Sequence, residues 1–221
     1  VLSTMGRSFW ILDNLSSLRQ LPGLTEPVQL QLFTPENAYR LRYRSWRSSL
    51  SDREYPQSGA VIDYYIGRKT EKEIVLNIYN NAGDLVRSFS SSGPDTLQSL
   101  PALTQKTTFN LAGMGTDKLD TDPTTHRFIW DLRHPGSYHP SARRSGRRGP
   151  LVTPGTYRLE LKSGNVKKSA VLQVNMDPRV KASGVSKADL REQEMLSLKI
   201  VRLLGSARLL TAHIEKCLNE I

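Results

Sequence analysis

The sequence predicts a mainly β fold, an antiparallel β-sandwich with an irregular N-terminal extension before it and an α-helical tail after it. Three observations support this prediction. Short runs of alternating apolar and polar residues recur between residues 61 and 176, and Asn, Gly and Pro turn signals separate them. Before residue 61 such runs are sparse, and after Pro178 the apolar spacing becomes helical. The predicted units are therefore 1–60, 61–176 and 177–221.

The predicted strands of the central unit are short and mostly follow one another as hairpins. One strand covers 61–66, and strands 73–79 and 85–89 flank a turn at 80–84, where Asn and Gly accept positive φ. A long Ser/Thr/Gly-rich connection leads to a strand at 126–132, and strands 155–161 and 167–174 form a last hairpin turned at 163–165. The side chains expected to face inward are Ile74, Leu76, Ile78, Phe128, Trp130, Tyr157, Leu159, Leu161 and Val171.

The N-terminal extension contains several strand-like runs. Residues 7–12 and 27–33 have strand patterns, and a helical turn is expected between them at 15–21. The alternation of Tyr and Leu with Arg from residue 39 to 44 also predicts a strand with one solvated face. Because the run that contains Phe9 and Trp10 is too apolar to remain in water, we expect it to pair with another sheet or with a partner chain.

The tail is predicted to be one helix over 186–221, with Ser186 as N-cap and Asp189 in the first turn. Its apolar residues alternate in steps of four and three, which is the pattern of a coiled-coil heptad. We call this set the seam: Leu196, Ile200, Leu203, Ala207, Leu210, Ile214, Cys217 and Ile221. Either the seam packs on the chain's own sandwich or it contacts a partner, and in both cases Cys217 is expected to pack in an apolar core. Gly205 lies off the seam and is expected to weaken the helix by about 1 kcal/mol relative to Ala.

The net charge of +10 is concentrated in one segment. No acidic residue occurs from Leu132 to Leu159, where six arginines lie, and four of them form the core of a small, polar loop: Arg143, Arg144, Arg147 and Arg148. A second basic run places Arg40, Arg42, Arg44 and Arg47 among Tyr43 and Trp46. Such segments are typical of solvated loops, of partner-binding surfaces or, with aromatic residues between the cations, of single-stranded nucleic-acid sites.

Four stretches carry a resemblance to a known family. They are 6–21 (GRSFWILDNLSSLRQL), 55–65 (YPQSGAVIDYY), 128–131 (FIWD) with 149–159 (GPLVTPGTYRL), and 176–180 (MDPRV) followed by a helix. In this order they resemble the C-terminal part of bacterial sialidase-like, sortilin-like β-propeller proteins with neuraminidase-type repeats, which are often labelled glycosyl hydrolases. The middle part also resembles the Ig-like domain of the flagellar hook-capping protein.

The resemblance implies an Ig-like sandwich over 61–176, a closing propeller strand near residues 6–13 and a helical region after the sandwich. It implies a secreted, periplasmic or cell-envelope protein whose Ig-like part acts in assembly or attachment. Since the propeller itself is absent from this sequence, no catalytic residue is carried over. The expected function is a non-catalytic structural or protein-interaction module, with a stand-alone accessory subunit and a nucleic-acid-binding protein as alternatives. The residues expected to bind partners are Phe9, Trp10, Arg143, Arg144, Arg147, Arg148, Leu196, Ile200, Leu203, Leu210 and Ile214.

The sequence has no recognisable catalytic or metal-binding pattern, so neither enzymatic activity nor a cofactor is expected. A glycosidase needs two facing carboxylates, and no spacing pairs the four strand candidates Asp63, Glu73, Asp131 and Glu160. The acidic stretch with Asp117, Asp120 and Asp122 lacks EF-hand spacing, so a surface loop is favoured over a calcium site. His134 and His139 have no ligand partners in the sequence and are expected to be exposed to solvent. Asp131 is expected to accept hydrogen bonds from the backbone of the following loop.

Overall fold

A computed structural model describes residues 2–3, 9–10, 15–21, 29–41, 59–68, 72–92, 118–139 and 149–219. The fold is mainly β with a long C-terminal helix, as predicted. The elements in chain order are β1 (Leu2–Ser3), β2 (Phe9–Trp10), α1 (Ser16–Gln20), β3 (Leu30–Leu32), β4 (Ala38–Arg40), β5 (Ala60–Ile66), β6 (Ile74–Tyr79), β7 (Leu85–Ser90), β8 (Thr125–Trp130), β9 (Gly155–Ser163), β10 (Val166–Met176), α2 (Pro178–Ala182) and α3 (Lys187–Asn219).

Two sheets of the described chain enclose a common core. One has the strand order β3-β5-β8, and the other has the order β4-β10-β9-β6-β7. Aromatic pairs cross between them: the ring centroids of Phe89 and Phe128 lie 4.6 Å apart, and those of Trp130 and Tyr157 lie 5.6 Å apart. Trp130 is fully buried, as predicted. Its size makes it a principal anchor of the packing, because truncating a buried aromatic side chain costs roughly 3–5 kcal/mol.

One side chain of the last hairpin, Val171, faces outward although it was predicted to face inward. Apart from Trp130, seven of the side chains predicted to face inward are buried: Ile74, Leu76, Ile78, Phe128, Tyr157, Leu159 and Leu161. Val171 instead is 58% exposed, and its neighbours Ala170 and Leu172 are buried. Because successive strand residues point to opposite faces, the inward set of β10 is Ala170, Leu172 and Val174.

The N-terminal extension supplies strands to both sheets. β3 pairs antiparallel with β5, and β4 pairs parallel with β10. The latter pairing is a correction, since all pairs were expected to be antiparallel. One sheet therefore begins at Leu30 and the other at Ala38. Of the predicted 39–44 strand, only Tyr39 and Arg40 lie in a described strand, which is β4.

The predicted strand at 7–12 is described only at Phe9–Trp10. There the backbone pairs antiparallel with Leu2–Ser3 of the same chain as a separate two-stranded sheet. The side chains of Phe9 and Trp10, and the neighbouring residues 4–8 and 11–14, lie outside the described part of the molecule. Their predicted role in partner binding therefore stays a prediction.

Local geometry explains several of the turns. Gly83 takes a φ of +88° in the 80–84 turn, and the side-chain oxygen of Asn80 accepts hydrogen bonds from Ala82 N and Asp84 N at 2.9 Å each. Gly59, at the start of β5, has a φ of +138°, and a β-carbon placed there would lie 2.5 Å from the carbonyl oxygen of Trp130. Residue 59 must therefore be glycine for β5 and β8 to approach each other.

Candidate partner-binding surface

The helix α3 lies with one face against the end of the sandwich. Ser186 caps its N-terminus, as predicted. Ser186 Oγ accepts a hydrogen bond from Asp189 N, and the Asp189 carboxylate accepts one from Ser186 N. On the inner face Leu190 and Gly205 are buried. The residues of α3 that are half-buried include Glu194, Ser197, Leu198, Val201, Arg208, Leu209 and Ala212. At 100° per residue, most of these positions fall on one side of the helix.

Glu194 is the central polar contact between α3 and the sandwich. Its Oε1 lies 2.5 Å from His134 Nε2, and its Oε2 accepts hydrogen bonds from Thr153 N at 3.0 Å and from Thr153 Oγ1. Burial opposes ionisation of this carboxyl, but the hydrogen bonds from His134 and Thr153 outweigh it, so the pKa of Glu194 is lowered. The ionised carboxylate therefore holds two separate segments of loop against one turn of the helix.

A second contact joins the far half of α3 to the same loop. Arg208 Nη1 donates hydrogen bonds to Ser137 Oγ at 2.8 Å and to the Tyr138 carbonyl at 3.2 Å. A β-carbon placed on Gly205 would lie 3.5 Å from Tyr138 N, which is an ordinary contact distance, so the backbone of the loop lies against the helix at this position. Gly205, which the sequence marked only as a weak point of the helix, is thus a contact residue.

The two segments on which α3 rests form the base of the arginine-rich loop. Residues 132–134 and 149–153 are joined by backbone hydrogen bonds from His134 N to Pro150 O and from Val152 N to Leu132 O, both 2.9 Å long. Gly149 is required there, because a β-carbon would lie 2.0 Å from the carbonyl oxygen of His134. Arg133 Nη1 adds a hydrogen bond of 2.9 Å to Gly149 O.

Buried side chains hold this loop base from the sandwich side. Trp130 Nε1 donates to Arg133 O at 3.1 Å, and Arg87, which is 3% exposed, donates from Nη1 to His134 O at 3.1 Å. Asp131 Oδ1 accepts from Arg133 N at 3.1 Å, which is the backbone role expected for it. Burial raises the pKa of Asp131 although Arg87 and Arg133 partly oppose the shift. The base is therefore a fixed platform for α3.

The expected exposure of His134 is wrong. Its side chain is 13% exposed because it is enclosed by its contact with Glu194. His139 is half-buried. The spacing of two histidines in a loop gave no indication of this, since the partner of His134 lies 60 residues further along the chain.

The outer face of α3 carries the seam and is open to solvent. We define this outer face by its large apolar residues, all between 42% and 67% exposed: Leu196, Ile200, Leu203, Leu204, Leu210, Ile214 and Leu218. Met195 beside it is 63% exposed. The interpretation in which the seam packs on the chain's own sandwich is therefore wrong for the described residues. Within the single chain Cys217 does not pack in a core either, because it is a free, exposed cysteine.

The four carboxylates considered for glycosidase chemistry are each engaged locally. Asp63 forms a two-point ion pair with Arg127, with N–O distances of 2.9 and 3.0 Å. Glu73 accepts a hydrogen bond from Ser90 Oγ, and Asp131 serves the loop base. Glu160, 2% exposed, contacts three cations: Arg158 at 3.0 Å, Lys162 at 2.7 Å, and Lys167. Burial opposes ionisation of Glu160, but Lys162 and Lys167 outweigh it, so its pKa is lowered.

The predicted basic sites are only partly described. Arg143, Arg144, Arg147 and Arg148 lie outside the described residues, as do Arg42, Arg44 and Arg47. Arg40 is described, and its guanidinium serves an internal contact: Nε donates to Val152 O at 2.9 Å and Nη2 donates to Gln193 Oε1 at 3.0 Å. One arginine of the nucleic-acid pattern therefore bridges the loop base to α3.

The described residues contain neither a metal-site cluster nor a membrane-spanning helix. Within those ranges no group of three or more His, Cys, Asp or Glu side chains is arranged to hold a metal ion. Asp117 lies outside them, and the carbonyl oxygens of Asp120 and Asp122 accept hydrogen bonds from Tyr64 Oη and from the His126 ring. No helix in the described segments has the length and apolar character that crossing a membrane requires.

Comparison with known proteins assigns no family to the chain. No protein-family model matches it, and neither a curated protein nor a solved structure matches it.

Proposed function

We propose that this chain is a non-catalytic protein-interaction module in which the sandwich displays helix α3 to a partner. The observation that carries the proposal is the exposed seam. Large exposed apolar patches on a soluble domain mark interaction sites, and the polar contacts of Glu194 and Arg208 fix this one in orientation. The helix is held by one face so that the other is available.

We further infer that the sandwich is Ig-like. In Ig domains strands A, B and E share one sheet and strands C, F and G share the other. The order β3-β5-β8 corresponds to A-B-E, and β10-β9-β6 corresponds to G-F-C. Tyr157, near the start of β9, donates from its hydroxyl to Thr153 O at 2.6 Å. This matches the tyrosine corner at the start of strand F, where the hydroxyl bonds to the backbone a few residues upstream.

The proposed context is a secreted or cell-envelope protein of the sialidase-like propeller type. The motifs that carry the resemblance serve the construction of the module. Gly59 allows the close approach of β5 to β8, Gly149 closes the loop base, and Asp177 caps α2 by accepting from Arg179 N at 2.9 Å. Such structural roles agree with a module for assembly or attachment.

The test is site-specific photo-crosslinking in the cells that make the protein. A benzophenone amino acid is placed at Leu203 on the outer face or, as the matched control, at the adjacent exposed Arg202. Irradiation is expected to give a protein adduct from position 203 and at most a tenth as much from position 202. Mass spectrometry then identifies the adduct as a second copy or as another protein.

The outcomes decide the proposal. Adducts to protein from position 203 support it, whichever protein is captured. Equal labelling at both positions, or no protein adduct from 203, contradicts it. Enzymatic activity on a glycoside that is lost in Asp63→Asn or Glu160→Gln variants with unchanged melting temperature would overturn the non-catalytic part.

A further inference from the structure

The size of the outer face of α3 fits one further helix. Seven large apolar side chains are exposed along it. At roughly 100 Å² for each such side chain, they offer roughly 700 Å² of apolar surface. A stable interface needs about 800 Å² on each partner, to which flanking polar residues also contribute. A single helix laid along the seam would therefore bury enough area for specific association.

The identities of the seam residues select the kind of partner. In the heptad, Ile200, Ala207 and Ile214 occupy a positions, and Leu196, Leu203 and Leu210 occupy d positions. In parallel coiled coils, β-branched residues such as Ile200 and Ile214 at a with Leu at d favour two strands over three or four. In a parallel pair of identical helices, each a residue meets its own counterpart and each d residue does the same. The seam therefore has the pattern of a helix that pairs with itself.

The flanks and the sandwich allow this pairing. In a parallel pair the g residue of one helix faces the e residue of the next heptad in the other. These pairs would be Glu192 with Ser197, Lys199 with Leu204, Ser206 with Thr211 and His213 with Leu218, and none joins two like charges. Most of the inner-face residues occupy b and f positions, on the other side of the helix from a and d. The sandwich therefore leaves the seam accessible to a second helix.

We propose that the outer face of α3 binds α3 of a second copy of this chain, parallel and in register, to form a two-stranded coiled coil. This inference rests on the proposed function of the outer face as an interaction surface, and it names the partner. Cys217 is the seam residue that reports the register directly. It occupies a d position and is exposed in the single chain, so in the dimer it would meet its own counterpart.

The test uses the purified chain and one oxidant. Sedimentation at increasing protein concentration is expected to give a mass twice that of the single chain. Copper–phenanthroline is then added as the oxidant. Two Cys217 thiols release two protons to the solvent and pass two electrons to two Cu(II) ions, which become Cu(I), as one S–S bond forms. Most of the chain is expected to become a disulfide-linked dimer, with a rate constant that does not change with chain concentration over the range in which sedimentation shows the dimer.

Two variants complete the design. Cys217→Ser combined with Glu215→Cys moves the thiol to an exposed b position, and it is expected to keep the dimer and to lose at least nine-tenths of the crosslink. Leu203→Glu with Leu210→Glu is expected to give a monomer without crosslink, and circular dichroism checks that its helix content is retained. If that variant loses helix content, the register is still decided by comparing the crosslinking of Cys217 in the wild-type chain with that of the thiol at position 215.

The remaining outcomes overturn the inference. A monomer at all concentrations excludes the second copy, and a dimer that crosslinks equally through positions 215 and 217, or through neither, excludes the parallel in-register arrangement. The proposed function fails separately, since it requires only a protein adduct at position 203. If that adduct is a different protein, the interaction module stands and the self-pairing is wrong.

Discussion

The two faces of α3 differ in how they are used and in how visible they are in the sequence. The outer face has the regular apolar spacing, yet its large apolar side chains are 42–67% exposed. The inner face meets the rest of the fold through the carboxylate of Glu194, the guanidinium of Arg208 and the buried side chain of Leu190. Regular apolar spacing therefore marked the face that stays exposed, whereas the face that binds the protein's own fold combines polar and apolar contacts.

Gly149→Ala is expected to weaken the contact of the inner face most, and so to lower the free energy of unfolding most. The added β-carbon would lie 2.0 Å from His134 O and 2.4 Å from Pro135 O, so the loop base must open and withdraw His134 from Glu194. The free energy of unfolding is expected to fall by about 3 kcal/mol or more, measured by urea denaturation. The control is Gly83→Ala, which meets no atom within 4 Å and carries only the strain of its positive φ. It is expected to cost about 1–2 kcal/mol, and equal losses in both variants would refute the steric argument.

The same substitution made on each face gives the most direct comparison. Leu190→Ala removes a side chain that is 6% exposed, and it is expected to cost about 2–4 kcal/mol. Leu203→Ala removes one that is 63% exposed, so at dilutions where the chain is monomeric it is expected to change the unfolding free energy by less than about 0.5 kcal/mol. Both values come from denaturant titration. A larger loss for Leu203→Ala in the monomer would show that the outer face is covered by the chain itself.

Glu194→Gln tests the polar contact of the inner face. The amide cannot accept from both His134 and Thr153 as the carboxylate does, so the expected loss is about 1.5–3 kcal/mol at neutral pH. Because the folded-state pKa of Glu194 is lowered, its contribution is complete above the unfolded value of about 4.3. It is lost as the pH falls through the folded pKa.

The measurement is the free energy of unfolding from pH 7 down to acid. The difference between the wild-type chain and Glu194→Gln should shrink below pH ~4.3. Glu192→Gln, at an exposed position of the same helix, is the control and should leave neutral-pH stability within about 0.5 kcal/mol. A difference that stays constant with pH would mean that the ionised form of Glu194 is not what holds the helix.

The smallest effect is a gain, expected from Gly205→Ala. The new β-carbon would meet Tyr138 at 3.5 Å, which is an ordinary contact distance, while alanine favours the helix over glycine by about 1 kcal/mol. The melting temperature is therefore expected to rise. Gly184→Ala serves as the opposite case, since Gly184 has a φ of +85° and no helix to favour. If Gly205→Ala instead melts lower, the loop needs the bare backbone at this point.

Much of the local structure could be predicted because it depends on short-range pattern. Alternation located β5, β6, β7 and β9 to within two residues, and the Asn80 and Gly83 turn chemistry fixed the hairpin between β6 and β7. The error at Val171 had a local cause as well. β10 has apolar residues on consecutive positions, so either alternating phase fitted the pattern until pairing with β9 decided it.

The sequence predicted the apolar residues of the candidate surface but not the polar residues that orient it. The seam residues Leu196, Ile200, Leu203, Leu210 and Ile214 were named from heptad spacing, and the chain exposes all of them. The residues that orient the surface were missed, because Glu194 meets His134 and Thr153 only after long chain segments have folded back. The signal that was available was a second, less regular set of apolar residues on the inner face: Leu190, Leu198, Val201, Leu209 and Ala212.

The sequence by itself determined the strands, the turn glycines, the buried Trp130 and the heptad spacing of α3, since each depends on residues a few positions apart. The tertiary structure decided which edge strands the N-terminal extension supplies, and it placed α3 on the loop base with its seam outward. Periodicity shows that a face needs burial but carries no information about which surface provides it. That choice belongs to long-range polar contacts, whose partners lie tens of residues apart.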